Sequence, residues 1–156
     1  MILNVGNKAP DFTLEADNHE LLSLRQFLGK KVVLYFYPKD HTPGCTREAC
    51  DFRDNFTQFT THQTVILGIS KDKPTTHQKF KQKYQLPFTL LSDLDAAVCE
   101  AYGVVNPKSM FGKTFLGIQR STFLIDEKGF IQAIWRKVKV PEHSDIVFKS
   151  LTTGST

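Results

Sequence analysis

The residues best able to do chemistry gather in one short run, Thr42-Pro43-Gly44-Cys45-Thr46-Arg47-Glu48-Ala49-Cys50. A thiol is nucleophilic only as the thiolate, so a reactive cysteine needs surroundings that favour the anion and still admit the reagent. Thr42 is placed to cap a helix starting at Pro43, whose fixed φ and missing N–H suit the first helical position. Cys45 then falls in the first turn, where unpaired backbone N–H groups and the positive end of the helix dipole favour negative charge. Those N–H groups could also hold the oxygens of a bound reagent and stabilise negative charge as it develops there. Thr42 offers a hydroxyl that can donate and accept near the sulfur, and Gly44 permits close approach of backbone. Taken alone, Cys45 is read equally well as a reactive thiol or as a small buried apolar residue.

Cys50 changes that balance. Five residues along a helix correspond to roughly 8–9 Å between Cα atoms, beyond the roughly 7 Å that a disulfide spans. Cys45 and Cys50 therefore cannot be bridged inside an intact helix. They form a redox pair only if the first turns unwind once Cys45 is oxidised to sulfenic acid, which condenses with a neighbouring thiol. The alternative is that Cys50 is a bystander on the helix surface. A zinc site would need further cysteine or histidine ligands at matching spacing, and no second pair is present. Cys99 reads as packing, His41 as a surface-loop residue, and His62 and His77 as scattered.

The elements that must position this segment follow from periodicity and chain breakers. A short strand is expected over Asp11–Leu14, then a polar turn through Asp17-Asn18-His19. The apolar run Val32–Tyr37 suits a central strand buried on both faces and stopped by Pro38. Ala49, Phe52, Phe56 and Phe59 recur at helical spacing, predicting a helix over 43–60. Val65–Ser70 is the next strand and Lys73–Tyr84 an amphipathic helix. Another helix is expected from Ser92, with Val98, Ala101 and Tyr102 inward and Gly103 as C-cap. Residues 122–125 and 130–135 form a hairpin around Asp126-Glu127-Lys128-Gly129, and a last helix covers Ser144–Leu151. The expected architecture is α/β: a thioredoxin-like fold with a mixed central sheet and helices on both faces, the cysteine segment following the carboxyl end of a central strand.

The 156 residues, 40% hydrophobic and 23% charged, suit a single domain over 1–156 with a core rich in its thirteen phenylalanines. The net charge of +4 is spread along the chain, so no nucleic-acid partner is expected. No apolar run is long enough to cross a bilayer. Residues 1–7 have neither the basic stretch nor the apolar core of an export signal, and the cysteine number is odd. A reducing cytoplasm is the expected location.

The run Tyr35-Phe36-Tyr37-Pro38-Lys39-Asp40-His41-Thr42-Pro43-Gly44-Cys45 through Cys50 closely resembles the active-site signature of peroxiredoxins, and of the bacterioferritin comigratory (Q-type) subfamily in particular. The likeness extends to Gly6-x-x-Ala9-Pro10-Asp11-Phe12, Phe52-Arg53-Asp54, Leu67-Gly68-Ile69-Ser70, Leu90-Leu91-Ser92-Asp93, and the loop and late strand from Met110 to Asp126. It departs at Val105, where related sequences usually carry an aromatic residue after Tyr102-Gly103-Val104, and over the C-terminal 151–156.

The resemblance implies that Cys45 is the peroxidatic cysteine and that Thr42 and Arg120 complete a peroxide pocket shaped by Pro38, Pro43 and Gly44. It gives Glu48 a supporting hydrogen bond and makes Cys50 the resolving cysteine. It further implies reduction of hydrogen peroxide and alkyl hydroperoxides, recycling by thioredoxin or a similar dithiol, and no metal or organic cofactor. A monomer is expected, a weak dimer being the alternative. Without the resemblance, Arg120 would be assigned to the surface. The main rivals are a disulfide oxidoreductase, which would want a Cys-x-x-Cys that is missing, and a redox sensor without turnover.

Overall fold

The computed structural model describes residues 2–153; Met1 and Gly154-Ser155-Thr156, part of the segments read for an export signal and a C-terminal match, lie outside them. Its centre is β3 (Lys31–Phe36), flanked by β4 (Thr64–Ser70) in parallel and β8 (Ser121–Ile125) in antiparallel pairing. Alternation along β3 explains the unbroken apolar run. Val32, Leu34 and Phe36 enter one core cluster, while Val33, Tyr35 and the following Tyr37 enter the other.

Outward from this centre, β5 (Thr89–Ser92) pairs parallel with β4, and β1 (Thr13–Ala16) and β2 (Leu21–Ser23) follow in antiparallel pairing. On the other side β9 (Ile131–Arg136) closes the predicted hairpin with β8. The order is β2-β1-β5-β4-β3-β8-β9, a mixed sheet of the thioredoxin-like type. The face of Val33 and Tyr35 is covered by α1 (Pro43–Asp54), α2 (Phe56–Thr61), α3 (Pro74–Tyr84) and α5 (His143–Thr153). On the opposite face pack Cys99 and Tyr102 from α4 (Ala97–Ala101) and its C-cap. Gly68 lies opposite Tyr35 in register, and a Cβ there would sit 2.9 Å from Tyr35 Cζ and from Leu90 Cδ2. Glycine at 68 is what lets the Tyr35 ring cross β4.

Several expectations need correction. The helix predicted over 43–60 is broken at Asn55, whose Nδ2 donates to Ser144 Oγ at 2.9 Å and Asp145 Oδ1 at 3.0 Å. These tertiary bonds tie the end of α1 to α5, which local periodicity does not reveal. The helix expected from Ser92 starts at Ala97 instead. Leu90 and Leu91 extend along β4 as β5, and the Asp93 carboxylate accepts from the Val98 and Cys99 N–H groups. Ala101 is exposed rather than inward, whereas Gly103 has the left-handed φ of 70° expected just past a helix end. The first strand is shifted to Thr13–Ala16, and β2 was not anticipated. The loop expected before the late strand contains a ribbon of β6 (Val105–Met110) and β7 (Lys113–Ile118), antiparallel to each other and separate from the main sheet.

Candidate active site

β3 ends at Phe36, and the half-buried Pro38 turns the chain out of the sheet. Beneath this turn the Tyr37 hydroxyl donates to Asp40 Oδ1 at 2.6 Å, while His77 Nδ1 lies 2.7 Å from Asp40 Oδ2 and His77 Nε2 3.0 Å from the Leu91 carbonyl. Asp72 Oδ2 accepts from the Asp40 N–H and from the Ser70 hydroxyl. Asp40, Asp72 and His77 bring ligand-type atoms within 4.8 Å of one another. Those atoms are engaged with each other and with neighbouring groups, and the cluster acts as a buried brace for residues 37–41.

The brace sets the start of α1. Thr42 has the extended backbone of an N-cap (φ −86°, ψ 151°), but its hydroxyl does not cap the helix. It donates instead to the Lys39 carbonyl at 2.7 Å, so its proton is committed and its oxygen can meet an incoming group only as an acceptor. Because the helix begins at Pro43, the Gly44 and Cys45 N–H groups have no acceptor four residues back within it. Cys45 is 1% exposed and rests in the core cluster of Tyr35, Tyr37 and Phe52.

Arg120 reaches this point from the residue preceding β8. Its Nη2 donates to Cys45 Sγ at 3.4 Å and its Nη1 to Glu48 Oε1 at 2.7 Å. A Cβ on Gly44 would stand 3.1 Å from Nη2, so the group that Gly44 admits is this guanidinium rather than backbone. Burial works against the charge on Arg120, but the nearby Glu48 and Cys45 outweigh it and raise its pKa. Glu48 is 1% exposed, and burial lifts its carboxyl to about 7 against the pull of Arg120, with Asp51 adding to the rise. Its second oxygen, Oε2, has no hydrogen-bond partner, nor has the buried Tyr35 hydroxyl.

Pro43 and Gly44 are exposed at the mouth. Cys50 is half-buried further along the unbroken α1, and all three cysteines are free thiols. Burial raises the Cys50 pKa, as do Asp54 and Asp51, while Arg53 opposes them. Cys99 is fully buried, its pKa raised by burial and by Asp93, in keeping with packing.

Two groups near the site were not assigned to it from sequence. His77 is buried on the inward side of α3, and its three-residue spacing to Phe80 was the available signal. His143, just before the predicted last helix, lies 2.8 Å through Nε2 from Thr122 Oγ1 and packs edge-on against Phe52 and Trp135. Burial lowers its pKa to about 4, and the charge of Arg120 adds to this. The unfolded chain therefore binds this proton at higher pH than the fold does, so stability falls as pH drops from about 6.5 toward about 4. Glu48 acts in the opposite sense, since its raised value favours the fold at the acid end of its range. His143→Gln is expected to flatten the acid-side loss, read as urea midpoints of variant and wild type between about pH 7 and about pH 4. An unchanged slope would show that His143 is not its source.

A buried thiol at a helix start, to which an arginine from a distant segment of a thioredoxin-like fold donates, differs from the Cys-x-x-Cys of a disulfide oxidoreductase. The AhpC/TSA family model matches residues 5–134. A putative peroxiredoxin bcp of Coxiella burnetii is 62% identical over 143 residues, covering 92% of this chain and 95% of that protein. The peroxiredoxin Bcp of Bacillus subtilis is 51% identical, over 92% and 91%. Among solved structures, the bacterioferritin comigratory protein of Xanthomonas campestris, studied for its alkyl peroxide reduction activity, superposes with a TM-score of 0.91. It is 39% identical, over 98% of this chain and all of that one. A cysteine-to-serine variant of the Xylella fastidiosa PrxQ gives a TM-score of 0.93 at 34% identity, over 100% and 99%. The chain belongs to the AhpC/TSA family, and its relatives there are peroxiredoxins of the Bcp or Q type.

Proposed function

We propose that this peroxiredoxin reduces hydrogen peroxide and alkyl hydroperoxides through Cys45, with Cys50 resolving and thioredoxin or a similar dithiol recycling the enzyme. The observation that carries the reading is the donation from Arg120 Nη2 to Cys45 Sγ at the start of α1. The guanidinium stabilises the thiolate and orients the peroxide, and the free N–H groups of the first turn receive charge from the breaking O–O bond. The Thr42 oxygen accepts a hydrogen bond from the peroxide O–H, while Pro38, Pro43 and Gly44 shape the entry. The sulfur takes the terminal oxygen as sulfenic acid, and the rest of the peroxide leaves as alcohol or water once protonated. Cys50 then condenses with the sulfenic acid, releasing water and forming a disulfide.

The last step needs the first turns of α1 to unwind, because the intact helix holds the two Cα atoms roughly 8–9 Å apart. The Asn55 bonds to α5 support opening from the Pro43 end, since they hold the far end in place. The protonated Cys50 that its surroundings favour leaves Cys45 as the thiol that meets peroxide first. Among the described residues no helix is long and apolar enough to cross a membrane. Free cysteines suit action in a reducing cytoplasm.

Mass measurement after one equivalent of peroxide is expected to show loss of two hydrogens and a bridge between Cys45 and Cys50. Cys50→Ser is expected to stop at sulfenic acid and to lose turnover with thioredoxin, thioredoxin reductase and NADPH. Full turnover of Cys50→Ser would refute the resolving role. A single burst from wild type without sustained turnover would favour a sensor.

A further inference from the structure

Arg120 is one cation serving two groups that can carry negative charge, Cys45 Sγ and Glu48 Oε1. Cys45 and Glu48 are each 1% exposed, so two anions against one guanidinium would leave net charge in a water-poor pocket. One proton held between them removes that excess. Glu48 Oε1 is taken by Arg120, whereas Oε2 is buried and engaged by no donor, which leaves it as the oxygen open to a proton. The buried Tyr35 hydroxyl also has no partner, and the charges of Glu48 and Cys45 both bear on it.

We infer that Glu48 takes up the proton that Cys45 loses and returns it to the oxygen leaving the peroxide. The inference rests on Cys45 as the attacking residue. In the resting pocket the proton moves from thiol to carboxylate, giving thiolate, neutral Glu48 and the Arg120 cation. The thiolate attacks the terminal peroxide oxygen, an S–O bond forms, and the O–O pair departs on the alkoxide. Glu48 gives its proton to that alkoxide, yielding alcohol, a sulfenic acid and an ionised Glu48 still paired with Arg120. Pocket charge is zero at each stage, and no outside acid is required. The value of about 7 for Glu48 suits an acid working near neutral pH. The charged groups bearing on it are Arg120, and Asp51 of α1; Glu48 in turn acts on Tyr35 of β3, while Arg120 is acted on by Cys45 and itself acts on His143 of α5.

The test compares leaving groups in Glu48→Gln, whose amide oxygen can still accept from Arg120 but which carries no acidic proton. An alkyl hydroperoxide expels a strongly basic alkoxide, whereas a peracid expels a carboxylate that needs no proton at neutral pH. Glu48→Gln is expected to lose roughly 10²-fold in rate with the alkyl hydroperoxide and no more than about threefold with the peracid, the range of a lost general acid. Alkylation of Cys45 by iodoacetamide, which needs the thiolate but no acid, should be as fast as in wild type or faster. Equal losses on both peroxides, or slowed alkylation, would make Glu48 a structural partner of Arg120 and overturn the inference. If wild type itself consumed neither peroxide, the failure would lie with Cys45 and the peroxidase reading instead.

Discussion

Cys45→Ser is expected to reduce peroxide consumption to the uncatalysed background, a loss on the order of 10³-fold or more. The sulfur supplies two things that a serine oxygen does not. A thiolate is accessible near neutral pH and an alkoxide is not, and sulfur can accept an oxygen atom and pass to sulfenic acid. The remaining pocket would still bind a peroxide through Arg120 and the first-turn N–H groups, but without an electron pair to give it. Serine is smaller and Cys45 is buried, so the stability cost should stay within about 1–2 kcal/mol, too little to unfold the chain. Circular dichroism should thus match wild type while coupled NADPH oxidation disappears. Retained peroxidase activity in Cys45→Ser would end the reading of this site.

Arg120→Met carries the second large effect. It removes both guanidinium bonds, to Cys45 Sγ and to Glu48 Oε1, and leaves an apolar chain of comparable length. Loss of one preorganised donor at a developing charge typically lowers rates by about 10²–10³-fold, and here the same group also stabilises the attacking thiolate. Glu48, freed from its partner in a buried site, will hold its proton and become neutral, which spares the fold a bare buried charge. The rate of sulfenic acid formation in a single turnover is therefore the decisive measurement. Arg120→Lys should recover only part of the loss, because a single ammonium does not span both acceptors as a planar fork does. A rate for Arg120→Met within about threefold of wild type would remove Arg120 from the pocket.

Much of the frame was legible because it depends on local rules. The continuous apolar run ending at Pro38, the Thr-Pro-Gly helix start and the Asp126–Gly129 turn each specify their element through short-range sterics and burial. They are found at β3, α1 and the β8–β9 hairpin. Where expectation failed, the deciding contact was distant. Asn55 breaks a helix because Ser144 and Asp145 accept from it, and Leu90-Leu91 becomes a strand because β4 offers an open edge. The β6–β7 ribbon pairs only with itself, and its lysine-, glycine- and proline-containing strands lack the alternation that marks a half-buried strand.

The same division runs through the site. Residue types and spacing within nine positions determined that Cys45 would sit at the positive end of a helix and that Cys50 could not bridge to it without unwinding. Both follow from the geometry of one helix. Family likeness nominated Arg120, but local physics left it on the surface. Only the tertiary structure brings it across 75 residues to donate to Cys45 Sγ and to Glu48. Burial likewise appears only on folding: it lifts Glu48 to about 7, lowers His143 to about 4 and leaves Glu48 Oε2 without a partner. Charge in a protein interior depends on what excludes water and what lies opposite, and both are set by distant segments meeting.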